Sequence, residues 1–210
     1  TKIRIGCGAG FSDDRIPPGV EIVERGELDY LAMECLAERT IARETLDRTK
    51  DPTKGYTPVL LERMEAIMPP ALKRGVKMVT NMGAANPMGA ANALRKHAKD
   101  WGCPDYSCAI VQGDEVTDIM RAHPELALME DGAPLESLLP KMASANAYLG
   151  ADVVAKALAT GADLVITGRV ADPALFLAPM LHAFGWSYDD WEKLGNGTLV
   201  GHLMECSGQL

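Results

Sequence analysis

Short apolar runs alternate with longer segments of helical periodicity along most of the chain. Runs rich in Val, Ile and Leu are typical of buried strands, and apolar residues recurring every three or four positions are typical of amphipathic helices. Their alternation is the pattern of βαβ units, in which crossover helices join parallel strands. The pattern predicts strands at residues 2–7, 28–35, 76–82, 107–113 and 163–168.

Proline and glycine mark the ends of the predicted helices, because proline is favoured in a first helical turn and glycine just past the last one. Pro69 and Pro70 are expected to bend or split the helix that contains them. An apolar helix is also expected after residue 172. The other helices are predicted over residues 16–26, 37–49, 57–75, 86–102 and 142–161.

These elements predict an α/β fold of three layers, with a mostly parallel, Rossmann-like sheet of about five or more strands flanked by helices. A chain of 210 residues that is 47% hydrophobic can bury one good core, so we expect a single α/β domain over residues 1–210. Residues 114–140 show no dominant period and are expected to form an irregular excursion, and a candidate lid, beside the sheet.

The amino-acid composition argues against several kinds of binding partner. The net charge of -8, without a long basic run, argues against a nucleic-acid surface. No apolar stretch reaches the roughly 20 residues needed to cross a bilayer, and the start lacks the plan of a signal peptide, so no membrane insertion is expected. Five cysteines without a C-x-x-C pair predict a reducing cytoplasm and indicate no metal.

The turns that follow the predicted strands carry the candidate chemistry. In a parallel sheet the carboxyl ends of the strands and the N-termini of the helices meet at one edge, where ligands bind. We therefore expect a pocket for a small anionic substrate at this edge. Its turns are residues 6–15, 34–40, 80–87, 112–115 and 167–173.

The first turn is rich in glycine, and Gly8 and Gly10 would let the backbone approach an anionic ligand closely. The turn lacks the G-x-G-x-x-G spacing of a dinucleotide site, which weakens a NAD interpretation. Ser12, Asp13 and Arg15 follow. They form either a helix N-cap with a local ion pair or a cap that also contributes to the site.

Glu34 ends the second predicted strand, a usual place for a general acid or base, although a solvated first helical turn is the simpler interpretation. Asp13 is the second candidate for proton transfer. Asn81 and Asn86 surround the third turn. Their amides are suited either to polarise a substrate carbonyl or to cap the following helix.

The last turn contains Arg169 and Asp172. Asp172 precedes Pro173 and is expected to cap the next helix. Arg169 is expected either to clamp a carboxylate or phosphate or to form a salt bridge with Glu34 or Asp13. Both residues are therefore candidates for substrate binding.

Five segments carry a family resemblance: residues 6–15, 28–40, 76–87, 147–186 and 197–210. Together they resemble the acyclic terpene utilisation family of the AtuA type, formerly a domain of unknown function. The resemblance implies a part in bacterial breakdown of citronellol- and geraniol-type acids handled as acyl-CoA thioesters. Relatives continue beyond the last residues of this chain, so the resemblance also implies the N-terminal part of a longer domain, a homo-oligomer or a complementing second chain.

The leading functional expectation is a lyase or hydro-lyase acting on an acyl-CoA or a branched hydroxy acid. Glu34 or Asp13 would move a proton next to a carbonyl, Asn81 would polarise that carbonyl and Arg169 would hold a carboxylate. The alternative is a non-catalytic binding subunit of an acyl-CoA-processing complex. A third hypothesis, a NAD-dependent oxidoreductase, rests on the glycine-rich turn alone, and the cofactor is left open.

Overall fold

The fold is built on one parallel sheet. The structure is a computed structural model that describes residues 2–209, and within them five strands pair in the order β1-β2-β3-β5-β4, all parallel. This arrangement confirms the predicted α/β class with a parallel, helix-flanked sheet. The strands are β1 Ile5–Ala9, β2 Tyr30–Met33, β3 Lys77–Thr80, β4 Cys108–Val111 and β5 Leu164–Thr167.

Helices cover both faces of the sheet, giving three layers. On one face α1, α3 and α4 pack on the strands, and on the other face α6 and α7 do so, with α8 packed against α7. The helices are α1 Pro17–Arg25, α2 Glu38–Lys50, α3 Leu60–Arg74, α4 Pro87–Ala98, α5 Thr117–Ala122, α6 Ala151–Leu158, α7 Ala174–Phe184 and α8 Trp191–Glu205.

Alternation along each strand sends side chains to the two layers in turn. In β2, Leu31 and Met33 join the core under α1, α3 and α4, whereas Ala32 joins the core under α6 and α7. In β5, Leu164 and Val165 divide in the same way. Because both faces are covered, these strands are apolar at nearly every position, which is why short continuous hydrophobic runs predicted them.

Helix α2 does not belong to either layer but crosses the carboxyl edge of the sheet. Its Ile41 packs with Leu36 and Ala84 in a small separate cluster. Arg43 at one side donates to the Ser12 hydroxyl after β1, and Arg48 at the other donates to the Ala85 carbonyl after β3. The helix therefore covers the loops in which the sequence places the candidate residues.

Pro69 and Pro70 were expected to bend or split their helix. They do not split it, because α3 runs as one helix from Leu60 to Arg74. Each proline removes one N–H donor from the helical ladder. The apolar face of α3, which includes Met64 and Ile67, is fully buried against the sheet. Tertiary packing of that face outweighs the lost hydrogen bonds.

The helix predicted over residues 142–161 is wrong in its first half, because α6 begins only at Ala151. Residues 142–150 instead pair with other segments. The Ala145 carbonyl accepts from the N–H of Val116 at 2.8 Å, and the N–H of Ala147 donates to the Asp114 carbonyl at 2.7 Å. Backbone hydrogen bonds made across the loop after β4 replace those that a longer helix would have made.

The segment between β4 and α6 holds little regular structure. It contains α5 and two short 3-10 turns, Leu135–Ser137 and Leu139–Lys141, and an isolated antiparallel bridge joins Ala127 to Pro134. Leu135 is the apolar side chain that this segment buries. Few buried apolar contacts hold the segment in place.

The connections leaving β3 and β5 go to opposite faces of the sheet. After β3 the chain enters α4 in one layer, and after the neighbouring β5 it enters α7 in the other. Such a point leaves a crevice between the two loops and is where ligands bind in open α/β sheets. The fold therefore directs attention to the carboxyl ends of β3 and β5.

Candidate functional site

Three of the predicted residues lie at the same edge of the sheet. Glu34 follows β2 directly, Asn81 follows β3 directly, and Arg169 lies two residues past β5. These three strands are consecutive neighbours in the sheet. The residues that the sequence separates by up to 135 positions are thus gathered by strand order alone.

Glu34 is held rigidly by two hydrogen bonds. The Asn81 side-chain amide donates to Oε1 at 2.7 Å, and the backbone N–H of Leu36 donates to Oε2 at 2.9 Å. Asn81 is itself fixed, because its Oδ1 accepts from the N–H of Cys35 at 2.7 Å. With Glu34 only 7% exposed and Asn81 fully buried, the carboxyl group has one well-defined position.

Burial raises the pKa of Glu34 from 4.5 to about 7. Loss of solvent is the largest cause, and the negative charge of Asp172 acts in the same direction. The hydrogen bonds from Asn81 and Leu36 and the charge of Arg169 lower the pKa but do not cancel the effect of burial. A carboxyl group with this pKa can take or give a proton near neutral pH.

Arg169 is 1% exposed and surrounded by acceptors. Its Nη2 lies 2.7 Å from Asp172 and 3.2 Å from Glu38, and its Nη1 donates to the Leu36 carbonyl. The ring of Tyr148 covers the guanidinium at 4.0 Å, a cation–π contact. The salt bridge expected with Glu34 or Asp13 is therefore replaced by pairs with Asp172 and Glu38.

Asp172 does not cap α7 as the sequence indicated, because Pro173 occupies the N-cap position and no side chain caps the helix. Its carboxylate accepts from Arg169 instead. A charged hydrogen bond to a buried guanidinium is stronger than one to a neutral helical N–H. The aspartate therefore compensates the buried charge of the arginine.

Asp114, in the loop after β4, fixes the backbone of the Arg169 loop and was missed by the sequence reasoning. Its Oδ2 accepts from the N–H of Arg169 at 2.9 Å and from the Asn146 amide at 3.0 Å. A Cβ atom on Gly168 would lie 2.5 Å from Asp114 Oδ1. A glycine is therefore required where the aspartate approaches.

The glycine-rich first turn is used for packing within the chain. A Cβ atom on Gly8 would lie 3.0 Å from Met33, and one on Gly10 would lie 2.6 Å from the backbone of Cys206. The N–H of Gly10 already donates to Asp14 at 2.9 Å. The backbone that would cradle a pyrophosphate is thus occupied by the protein itself.

The residues after this turn do not cap α1, since its N-cap is Ile16 without a side-chain hydrogen bond. The buried Ser12 contacts Asp13 at 3.2 Å and Arg43 at 3.3 Å. Asp13 and Arg15 are exposed, and Arg15 has no ion pair among the residues described. Neither of these two charged residues contacts Glu34.

Asn86 is the N-cap of α4. Its Oδ1 accepts from the N–H of Gly89 at 3.0 Å, and its Nδ2 donates to the carbonyls of Lys54 at 2.7 Å and Pro52 at 3.2 Å. Both ends of the amide are therefore satisfied by the protein. Its contacts are those of a helix N-cap, the second of the two roles that the sequence left open.

A buried arginine, Arg63 of α3, joins the first two turns. It is fully buried, with Nη1 3.1 Å from Cys35 Sγ and Nη2 donating to the carbonyls of Asp14 at 2.6 Å and Ser12 at 3.2 Å. Burial raises the pKa of the Cys35 thiol, so the sulfur stays protonated. The arginine therefore positions Cys35, next to Glu34, without forming a carboxylate ion pair among the described residues.

A cavity of about 360 Å³ lies at this edge, between α2, the loops after β3 and β4, and residues 143–146. Arg48, Ala85, Asp114 and Asn146 contribute to its wall. A larger cavity of about 810 Å³ runs along the outer side of α4 and contains only Asn86 of the predicted residues. The smaller cavity adjoins the Arg169 loop through Asp114, whereas Glu34, Asn81 and Arg169 are not part of its wall.

The chain is similar to one family of known proteins. The model of the acyclic terpene utilisation family protein AtuA matches residues 3–210, essentially the whole chain. No curated protein and no solved structure matches it. Within residues 2–209, none of the helices combines the length and hydrophobicity needed to cross a bilayer, and no group of three or more His, Cys, Asp or Glu residues is arranged to hold a metal ion.

Proposed function

Because the chain belongs to the acyclic terpene utilisation family AtuA, we propose that it is an enzyme of acyclic terpene breakdown. The family description connects the chain to acyclic terpene utilisation. Our proposal adds the reaction class, a lyase and most simply a hydro-lyase. The substrate class that we propose is a branched hydroxyacyl-CoA thioester or the corresponding hydroxy acid.

One observation carries the proposal: Glu34 is a buried, immobilised carboxyl group with a pKa of about 7 at the ligand-binding edge of a parallel sheet. A base with a pKa near the working pH is well suited to remove the proton next to a carbonyl. The exposed Asp13 lacks these properties. We therefore assign proton transfer to Glu34.

Asn81 and Arg169 support the reaction in different ways. Asn81 positions Glu34, and its amide nitrogen has a second hydrogen available for the substrate carbonyl after the bond to Glu34 is made. When the free hydroxy acid is the substrate, Arg169 binds its carboxylate in exchange for that of Glu38, whose side chain is 73% exposed. Exchange of one exposed carboxylate for another keeps the buried guanidinium neutralised.

The test uses the 3-hydroxyacyl-CoA thioester of a geraniol-type acid and the free branched 3-hydroxy acid, with loss of water measured by mass spectrometry. Glu34→Gln is expected to lower kcat about 10²–10⁴-fold while substrate binding is retained. Glu44→Gln is the matched control, because Glu44 is also buried but pairs with Arg43 on α2. Equal turnover of the wild-type protein and Glu34→Gln would contradict the assignment.

A non-catalytic binding subunit is the second candidate, and the closed network of the site favours it. Both ends of the Asn81 amide are engaged, and Arg169 already has two carboxylate partners. This function predicts tight binding of the acyl-CoA without turnover, unaffected by Glu34→Gln. A NAD-dependent reaction is less well supported, since Cys206 covers Gly10.

A further inference from the structure

The last turn of α8 returns the chain to the carboxyl edge. Beyond Glu205 the backbone of Cys206 lies against Gly10, and the thiol of Cys7 lies 3.5 Å from the Glu205 carbonyl. Glu205 is the final residue of α8 and is 8% exposed. A glutamate 171 positions from Glu34 in sequence is thus buried at the same edge.

The carboxyl group of Glu205 is incompletely paired. Its Oε2 is buried and has no hydrogen-bond partner in the described part of the chain. Its Oε1 has only long contacts, 3.7 Å to Nδ1 of His202 and 3.9 Å to Cys206 Sγ. A buried carboxyl oxygen without a donor lowers the stability of the fold, and no contact among the described residues offsets that cost.

Glu205 and Glu34 share their charged surroundings. Burial is the main cause that raises the pKa of each, and the negative charge of Asp172 raises both further. The charge of Arg169 lowers both, and at Glu205 the nearby His202 and Cys206 also lower the pKa. The charges of Arg169 and Asp172 therefore act on both carboxyl groups at the carboxyl edge of the sheet.

We propose that Glu205 is the second catalytic residue of the site and the acid that protonates the leaving hydroxyl group. This inference rests on the proposed hydro-lyase function. Glu34, as carboxylate, takes the proton from the carbon next to the carbonyl, and the electron pair of that C–H bond forms the C=C bond. The C–O bond breaks, the hydroxyl leaves with the proton of Glu205 as water, and Glu205 becomes the carboxylate.

The two proton transfers are separable in an experiment. In D₂O, exchange at the carbon next to the carbonyl depends on Glu34 and does not require the hydroxyl to leave. With the same 3-hydroxyacyl-CoA thioester, Glu205→Gln is expected to keep deuterium incorporation and to lower water loss at least 100-fold. Glu34→Gln is expected to lose both reactions.

Two further variants separate chemistry from structure. Glu205→Asp keeps an acid and is expected to retain part of the elimination, measurable above that of Glu205→Gln. Glu192→Gln changes an exposed glutamate in the first turn of α8, at the other end of that helix, and is expected to leave elimination unchanged. The urea midpoint of Glu205→Gln is expected not to fall, because the buried oxygen that the substitution replaces has no partner among the described residues.

The outcomes distinguish this inference from the function on which it rests. Elimination by Glu205→Gln at the wild-type rate would overturn the role of Glu205 and leave the hydro-lyase proposal standing. Loss of deuterium exchange together with elimination in Glu205→Gln would also overturn that role. A wild-type protein that catalyses neither exchange nor elimination would overturn the proposed function, and this inference with it.

Discussion

At the scale of single residues, exposure to water decides whether the pKa of a hydrogen-bonded carboxyl group at the end of a strand is raised or lowered. Asp163 precedes β5 at the amino edge, where burial raises its pKa but hydrogen bonds from Lys77 and Ser107 outweigh this and the pKa is lowered. Glu34, at the carboxyl edge, has two donors and a nearby Arg169, yet burial dominates and its pKa is raised. The difference is exposure: Asp163 keeps contact with water.

The raised pKa of Glu34 predicts a pH-dependent stability. A folded-state pKa of about 7 against 4.5 when unfolded means that the contribution of Glu34 is fully present below about pH 4.5 and is lost as the pH rises through about 7. We expect this residue to lower the free energy of unfolding by on the order of 2–3 kcal/mol between pH 5 and 8. Glu34→Gln should flatten that part of the urea-derived stability curve.

The control for this measurement is Glu65→Gln, which changes an exposed glutamate on α3. It should show the same decline between pH 5 and 8 as the wild-type protein. A decline of equal size in Glu34→Gln would mean that the carboxyl group of Glu34 is ionised in the native state across this range.

At the scale of elements, α8 shows how two glycines in one helix differ in purpose. Gly201 faces α7, and a Cβ atom there would lie 2.9 Å from the Pro173 carbonyl and 3.2 Å from Phe176. Gly195, two turns earlier, has nothing within 4 Å. The first glycine allows close packing of two helices, whereas the second only adds backbone freedom to the unfolded chain.

These surroundings predict opposite effects for the same substitution in α8. Gly195→Ala is expected to stabilise the protein by about 0.5–1 kcal/mol, because it raises helix propensity without a clash. Gly201→Ala is expected to destabilise it by about 1–3 kcal/mol, because α8 must move away from α7. Urea denaturation of both variants measures the two changes, and a stabilising Gly201→Ala would contradict the packing of α8 on α7.

The elements that the sequence predicted well are those whose local pattern agrees with their packing. All five strands were predicted because they are mainly apolar, pack against helices and end at polar turns. Helix α8 was not delineated, since its three glycines and mixed faces give no helical period. The beginning of α6 was placed too early, because pairing of residues 142–150 with distant loops is not visible in local composition.

The residues of the candidate site also fall into two groups, those that the sequence identifies and those that only the fold identifies. Glu34, Asn81 and Arg169 could be identified because each lies at, or directly after, the carboxyl end of a predicted strand. Arg63 and Glu205 lie inside helices that reach the site only through tertiary packing, and nothing adjacent to them in sequence marks them. Three facts indicate them only once the fold is known: burial, charge and, for Glu205, an unpaired oxygen.

At the scale of the whole molecule, one sheet contributes to two cores. The five strands form one hydrogen-bonded sheet. Successive residues of β2, β3 and β5 pack into opposite layers. Loss of one layer would expose half of the side chains of the sheet. The two layers are therefore expected to be coupled in stability, as in a single domain.

Tryptophan fluorescence can test this coupling, because Trp101 packs on one core and Trp186 on the other. Two variants each keep one reporter: Trp186→Phe with Trp191→Phe, and Trp101→Phe with Trp191→Phe. Within each variant, we expect the urea unfolding curves measured by fluorescence and by circular dichroism to have the same midpoint. Different midpoints for the two probes within one variant would indicate that the layers unfold separately.

The strand order has a consequence for synthesis on the ribosome. Strand β4 is made before β5 but, among the described strands, pairs only with it, and β3 also awaits β5 on that side. At about 5–20 residues per second, β4 remains without a neighbour for roughly 3–10 s. During that interval the nascent chain presents two apolar strand edges to chaperones and to other nascent chains, and emergence of residues 164–167 from the exit tunnel ends the exposure.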